Sequence, residues 1–211
     1  MMITPIQIER LRELVSNELS GKRMKHVLAV EDMAFRLGKL YFRDDETLLF
    51  LRAAALLHDV TKELSDEEQL ALLESYSVKP LPEELASMPT IHALTAALVI
   101  PDRFLEFADR RVIDAVRYHT TGREGMSTFE KVIFLADYID DTRTYQSCTE
   151  LREEFFSAKP EEMNNEERLR HLDRAALKSI DNTLSYLRAK ERIIHPLTLE
   201  AQTDLKARLG E

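Results

Sequence analysis

Apolar positions recur at helical spacing along most of this chain, and no stretch alternates polar and apolar long enough to predict a strand. Thr4-Pro5 opens a first amphipathic helix to about Leu19, with Ser20-Gly21 ending it. A second helix from Lys22 carries His26, Val30, Ala34 and Leu37 near one face. Asp44 or Asp45 caps a third, Thr47 to His58, which is almost wholly apolar and therefore central. Ser65 with Glu68 is a capping box opening a fourth. After a break at Lys79-Pro80-Leu81-Pro82, Pro89-Thr90 leads into a helix through Ile100, which Pro101 stops. Arg110 to His119 is another, ended by Thr120-Thr121-Gly122; a second capping box, Ser127 with Glu130, precedes Lys131 to Asp140. Roughly Asn164 to Arg192 and Leu197 to Leu209 complete the set, with a turn at His195-Pro196. The expected fold is all-α.

Composition narrows this further. An apolar fraction of 44% over 211 residues supplies one sizeable core, and only 5 Gly and 7 Pro favour helix. The single cysteine, Cys148, forms no internal disulfide and suits a reducing compartment. Met1-Met2-Ile3-Thr4-Pro5 is followed at once by charges at Glu9, Arg10 and Arg12, so neither signal peptide nor membrane span is expected, and the expected location is cytoplasmic. A net charge of -9 argues against a duplex nucleic acid held on a broad basic surface. It leaves room for a phosphate-bearing small molecule, because local metal ions override the global sign.

The chemistry lies in where ionisable groups interrupt apolar faces. His26 shares a stripe with Val30 and Leu37; His92 aligns with Thr95, Ala96 and Val99; His119 follows Val112, Ala115 and Val116. Asp137 follows Ile133 and Phe134, and His58-Asp59 ends the most apolar helix. A lone histidine on an apolar face is ordinarily a hydrogen-bonded core residue, and that reading is kept for His171 and His195. Asp140 and Asp141 read as exposed residues or caps at a helix end. The set of six carries the weight. A buried carboxylate needs a partner or a metal, and Asp59 and Asp137 have no lysine or arginine on the same predicted face. Divalent cations meet the needs of all six, since imidazole suits iron, manganese or zinc and carboxylates bridge two ions.

The order His26, His58-Asp59, Asp137, with His92 and His119 between, resembles the two-metal version of the HD phosphohydrolase superfamily. The blocks Leu56-Leu57-His58-Asp59-Val60-Thr61-Lys62, Tyr118-His119-Thr120-Thr121-Gly122, Leu135-Ala136-Asp137-Tyr138-Ile139-Asp140-Asp141-Thr142-Arg143 and Ile193-Ile194-His195-Pro196 are similar to the bacterial YqeK-type HD family. The resemblance spans about residues 22–200. It implies one HD domain over 1–211, with a metal-binding core at about 22–143 and a C-terminal helical part at about 149–211 packed on it. It also implies symmetrical hydrolysis of diadenosine tetraphosphate to two ADP at two divalent transition-metal ions, iron foremost. Asp59 would bridge the ions, His26, His58 and Asp137 completing one shell, and His92 and His119 the other. The residues expected to act in catalysis are His58, Asp59, Lys62 and Arg143. Those expected to contact substrate are His26, Lys62, Thr120, Thr121, Gly122, Tyr138 and Arg143. Where the family often has Glu-Pro, this chain has Asp140-Asp141, a change expected to touch the helix end rather than the chemistry.

Competing expectations are an HD hydrolase of another nucleotide, an HD-type di-iron oxygenase and a nucleotide-sensing protein with a structural metal. The expected partner is a small-molecule nucleotide, with no nucleic acid and no membrane, and a homodimer is the expected assembly. The helix through Asn182-Thr183-Leu184-Ser185-Tyr186-Leu187 reads either as a packing helix or as a cover over the nucleotide, and Glu161 to Arg170 as a solvated face.

Overall fold

Short polar caps start the helices. In the computed structural model, which describes residues 3–211, Thr4, Ser65, Ser127 and Asn164 each accept a backbone N–H three residues on. The Gln or Glu at that third position answers the cap's own N–H, so two orphan donors are met at each start. Met1 and Met2, part of the sequence-level domain span, lie outside the described residues. Four helices make the first half: α1 Pro5–Ser16, α2 Gly21–Tyr41, α3 Asp45–Leu57 and α4 Asp66–Ser75. A short α5 Pro82–Ala86 precedes α6 Ile91–Arg103, α7 Arg110–Tyr118 and α8 Thr128–Ile139. The chain ends with α9 Gln146–Ser157, α10 Asn165–Ala189 and α11 Pro196–Leu209, and no strand occurs among the described residues.

α3 is the axis, as its apolar sequence requires. Leu51, Ala54, Leu56 and Leu57 are fully buried, with α2, α7 and α8 packed around the helix. Each large side chain contributes about 1.5–3 kcal/mol, which anchors the turn carrying His58 and Asp59. Gly38 lets α2 approach closely, since a Cβ there would lie 2.5 Å from Leu51 Cδ1. A second apolar cluster joins α10 and α11 to α8 through Phe134, Ile180, Leu184 and Leu205. No helix among the described residues is long and apolar enough to cross a membrane.

Several expectations need correction. The first helix ends at Ser16, not near Leu19, because the Ser20 hydroxyl accepts the Arg23 N–H and so starts α2. Pro101 does not stop α6; it sits in the last turn, and Phe104 N–H still reaches Ile100 O at 2.9 Å. α8 begins directly after Ser127, three residues before Lys131. α9 was not among the expected helices, yet Cys148, Leu151 and Phe155 are buried at helical spacing along it. α5 is likewise additional; its buried Glu84 pairs with Arg117 of α7.

Candidate metal centre

Four histidines from four helices present the same edge to one point, and the local backbone explains how. His58 and His119 close α3 and α7, where the last carbonyls lack helical partners. Each turns Nδ1 onto the carbonyl three residues back, Ala55 O at 2.6 Å and Val116 O at 2.7 Å. His92, in the first turn of α6, holds Pro89 O in the same way at 3.1 Å. His26, on α2, directs Nδ1 to the Asp140 carboxylate at 3.3 Å. With Nδ1 the protonated nitrogen in each ring, Nε2 is left as a free donor atom facing inward.

The carboxylates stand where those nitrogens meet. Asp59 Oδ1 lies 3.2 Å from His92 Nε2 and 3.8 Å from His119 Nε2. Its Oδ2 lies 3.4 Å from His58 Nε2 and 3.7 Å from His26 Nε2. Asp137, on α8, brings Oδ1 to 3.0 Å from His26 Nε2 and 3.9 Å from His58 Nε2. The buried Nε2 atoms of His26 and His58 have no hydrogen-bond partner. Ligand atoms of His26, His58 and Asp59, and separately those of Asp59, His92 and His119, lie within 4.8 Å of one another. Unpartnered imidazole nitrogens converging on carboxylate oxygens form a donor set that fits a divalent metal site.

Charge accounting agrees with that chemistry. Burial opposes ionisation of Asp59, but the surrounding imidazoles outweigh it and hold the carboxyl well below its ordinary value. Burial likewise opposes Asp137, whose carboxyl is held far down by the Arg143 guanidinium and by His26 and His58. Burial pushes His92 down to about 4 despite Asp59, keeping it neutral. For His26, burial works against the charged form, and the adjacent Asp137 and Asp140 carboxylates overcome it to raise the imidazole to about 9.

A cavity of about 300 Å³ opens over this cluster, lined by Asp59, His92, His119 and Asp137 and by the cations Arg23, Lys62 and Arg143. Thr120 and Tyr138 line it too, whereas Thr121 and Gly122 do not. Gly122 instead adopts φ +64 beneath α11, where a Cβ would meet Ala201 at 3.1 Å, and its N–H is already bonded to Tyr118 O at 2.8 Å. Lys62 Nζ and His92 Nδ1–H both donate to Pro89 O, each at 3.1 Å, which sets the ammonium beside that histidine. Burial lowers the Lys62 ammonium from its ordinary value.

Two sequence readings are incomplete here for one reason: partners come from other elements. Asp59 and Asp137 do have cationic neighbours, Arg23 at 2.9 Å and Arg143 at 2.6 Å. Asp140 does cap the end of α8, but it is not exposed. It is fully buried and accepts the Thr142 N–H at 2.8 Å while facing His26, so the Asp140-Asp141 variation reaches the site. Only Asp141 is exposed. Arg23 went unnoticed although it lies three residues before His26, close to the same helical face. Thr183 on α10 also lines the cavity. His171 and His195 stay outside the cluster: His171 Nε2 bonds Phe155 O at 3.0 Å, and His195 caps α11.

A helical protein that focuses such a set of histidines and aspartates on one cavity defines a class. The chain belongs to the HD domain family, whose model matches residues 23–142. It is 32% identical over 193 residues to the bis(5'-nucleosyl)-tetraphosphatase, symmetrical, of Halalkalibacterium halodurans, covering 92% of this chain and 94% of that one. The protein of the same name from Bacillus subtilis is 30% identical, over 87% of this chain and 89% of its own. Among solved structures, a predicted HD superfamily hydrolase involved in NAD metabolism from Clostridium acetobutylicum superimposes with TM-score 0.81. It is 31% identical and the match covers 99% of this chain and 100% of that one.

Proposed function

We propose that this protein is a symmetrical bis(5'-nucleosyl)-tetraphosphatase that hydrolyses diadenosine tetraphosphate to two ADP. The observation that carries the reading is the placement of Asp59, whose two oxygens face different histidine pairs on the floor of a cavity rimmed by cations. The names of the HD-family relatives support the substrate. In this reading His26, His58, Asp137 and Asp59 would hold one ion, and His92, His119 and Asp59 the other. Two divalent transition-metal ions, iron foremost with manganese or zinc as alternatives, would supply an acidified water and neutralise phosphate charge.

The chain's own groups do the rest by positioning and by charge. Arg143 and Arg23 line the cavity with guanidinium edges suited to phosphate oxygens. Lys62 adds positive charge beside His92. The Thr120 hydroxyl, buried without a partner, is a further donor for a phosphate oxygen. Water adds to one of the two inner phosphorus atoms, the bond between the inner phosphates breaks, and each half leaves as ADP.

The test removes metal anaerobically, restores iron, manganese or zinc singly, and follows nucleotide products. ADP alone is expected; AMP with ATP would overturn the symmetrical cut. Asp59→Ala is expected to lose both metal binding and turnover, and retained activity would overturn the bridging role.

A further inference from the structure

The central cavity continues sideways into two clefts of different chemistry. On one side lies a cleft of about 290 Å³ walled by Tyr138, Tyr145 and Tyr186, with Asn182 at its edge. On the other is a cleft of about 540 Å³ bordered by Pro89, Leu187 and Ile193, with Glu191, Arg192 and His195 also lining it. Thr183 of α10 lines all three spaces, Tyr138 and Arg143 join the centre to the tyrosine cleft, and Thr120 joins it to the aliphatic one.

Helix geometry makes this division. At 3.6 residues per turn, Tyr186 lies roughly 60° to one side of Thr183 and Leu187 roughly 40° to the other. One face of α10 therefore forms a ridge over the centre, with an aromatic slope and an aliphatic slope. Tyr145, Tyr186 and Ile193 are 73%, 53% and 57% exposed, so apolar surface stands in water on both sides of a charged cavity. A polyanion carrying one flat apolar group at each end matches this layout, whereas a ligand with a single such group leaves one cleft unused.

We propose that the two nucleoside ends of the dinucleotide are held in these unlike clefts, one stacked on the tyrosines and the other against Leu187 and Ile193. This rests on the tetraphosphatase reading and adds the residues that grip each end. The products are identical, but the two ends are recognised by different contacts.

The chain has six tyrosines and no tryptophan, so tyrosine emission reports on a cleft that holds three of the six. Metal-loaded wild type, Tyr186→Leu and Leu187→Ser are titrated with ADP and with inorganic pyrophosphate, the base-free probe. KM and kcat for diadenosine tetraphosphate are measured alongside. ADP, but not pyrophosphate, is expected to quench emission saturably, and Tyr186→Leu to raise the midpoint of that quench roughly 5- to 150-fold, the range for losing one aromatic–base stack of about 1–3 kcal/mol. Both substitutions are expected to raise KM with kcat held, the pattern of lost uniform binding. Leu187→Ser is expected to leave the ADP quench in place. A KM moved by only one substitution, or by neither, overturns the proposal, as does a quench indifferent to Tyr186. A variant that melts early is replaced by Tyr145→Leu or Ile193→Ser on the same walls. A protein that cuts no dinucleotide refutes the tetraphosphatase reading, while the ADP quench and its dependence on Tyr186 still judge the tyrosine cleft.

Discussion

Asp140→Ala tests how the centre is held from outside. The carboxylate is fully buried, accepts the Thr142 N–H at 2.8 Å and the Thr142 hydroxyl, and lies 3.3 Å from both His26 Nδ1 and Arg143 Nε. Arg152 holds its backbone carbonyl at 2.5 Å, so the chain path is expected to survive the substitution. Removing the outer partner of a ligating histidine typically costs 10- to 100-fold in metal affinity, or about 1.4–2.7 kcal/mol. A part-buried N–H left unpaired at Thr142 adds about 1–3 kcal/mol of destabilisation. For a chain of this size that lowers Tm by roughly 2–12 °C. The assay is a chelator-competition titration with one divalent metal, run beside thermal unfolding. Asp141→Ala is the control, because the Asp141 side chain is 78% exposed. The expected result is one metal equivalent weakened 10- to 100-fold in Asp140→Ala and none in Asp141→Ala. Equal affinities in the two variants, or equal weakening of both equivalents, would refute the reasoning.

Two further outcomes follow from the same geometry. Gln69 Nε2 donates to Thr61 O at 2.6 Å and its Oε1 accepts from Thr95 at 2.5 Å, while Thr61 Oγ1 donates to His92 O at 3.0 Å; Gln69→Ala should therefore lower Tm by roughly 4–12 °C. An unchanged melting curve would show that this buried cluster does not tie the His58-Asp59 turn to α6. For chelated protein, the His26 imidazole at about 9, above its ordinary 6.5, binds its proton more tightly folded than unfolded. Its stabilisation is thus full below about 6.5 and lost as pH rises through about 9, so wild type and His26→Asn should differ in Tm at pH 6 and converge by pH 10. A gap that persists at pH 10, or is missing at pH 6, contradicts that assignment.

Much of the site was legible because helical spacing relates residues on one element. His26 with Val30, His92 with Val99, and His119 with Val116 each mark an inward face, and those faces are buried. What went unread were relations between elements. No spacing rule connects Arg23 on α2 with Asp59 after α3, or Asp140 after α8 with His26 on α2, because those pairs meet only when the helices dock. α9 was missed for a different reason: its three buried residues are diluted by five charged or polar side chains in its centre, so a weak stripe passed for surface.

The sequence by itself determined the helices, through caps and apolar stripes, and the six inward imidazoles and carboxylates, because both are properties of neighbours three and four residues apart. The tertiary structure decided which nitrogen of each histidine faces the centre, since Nδ1 goes to whichever carbonyl or carboxylate the backbone brings near. It also decided that Asp59 divides its two oxygens between two histidine pairs, and that Thr183 stands as a ridge between two clefts. Those are matters of ångströms between separate helices, set by how α2, α7 and α8 pack on α3, α6 on α7, and α10 on α8.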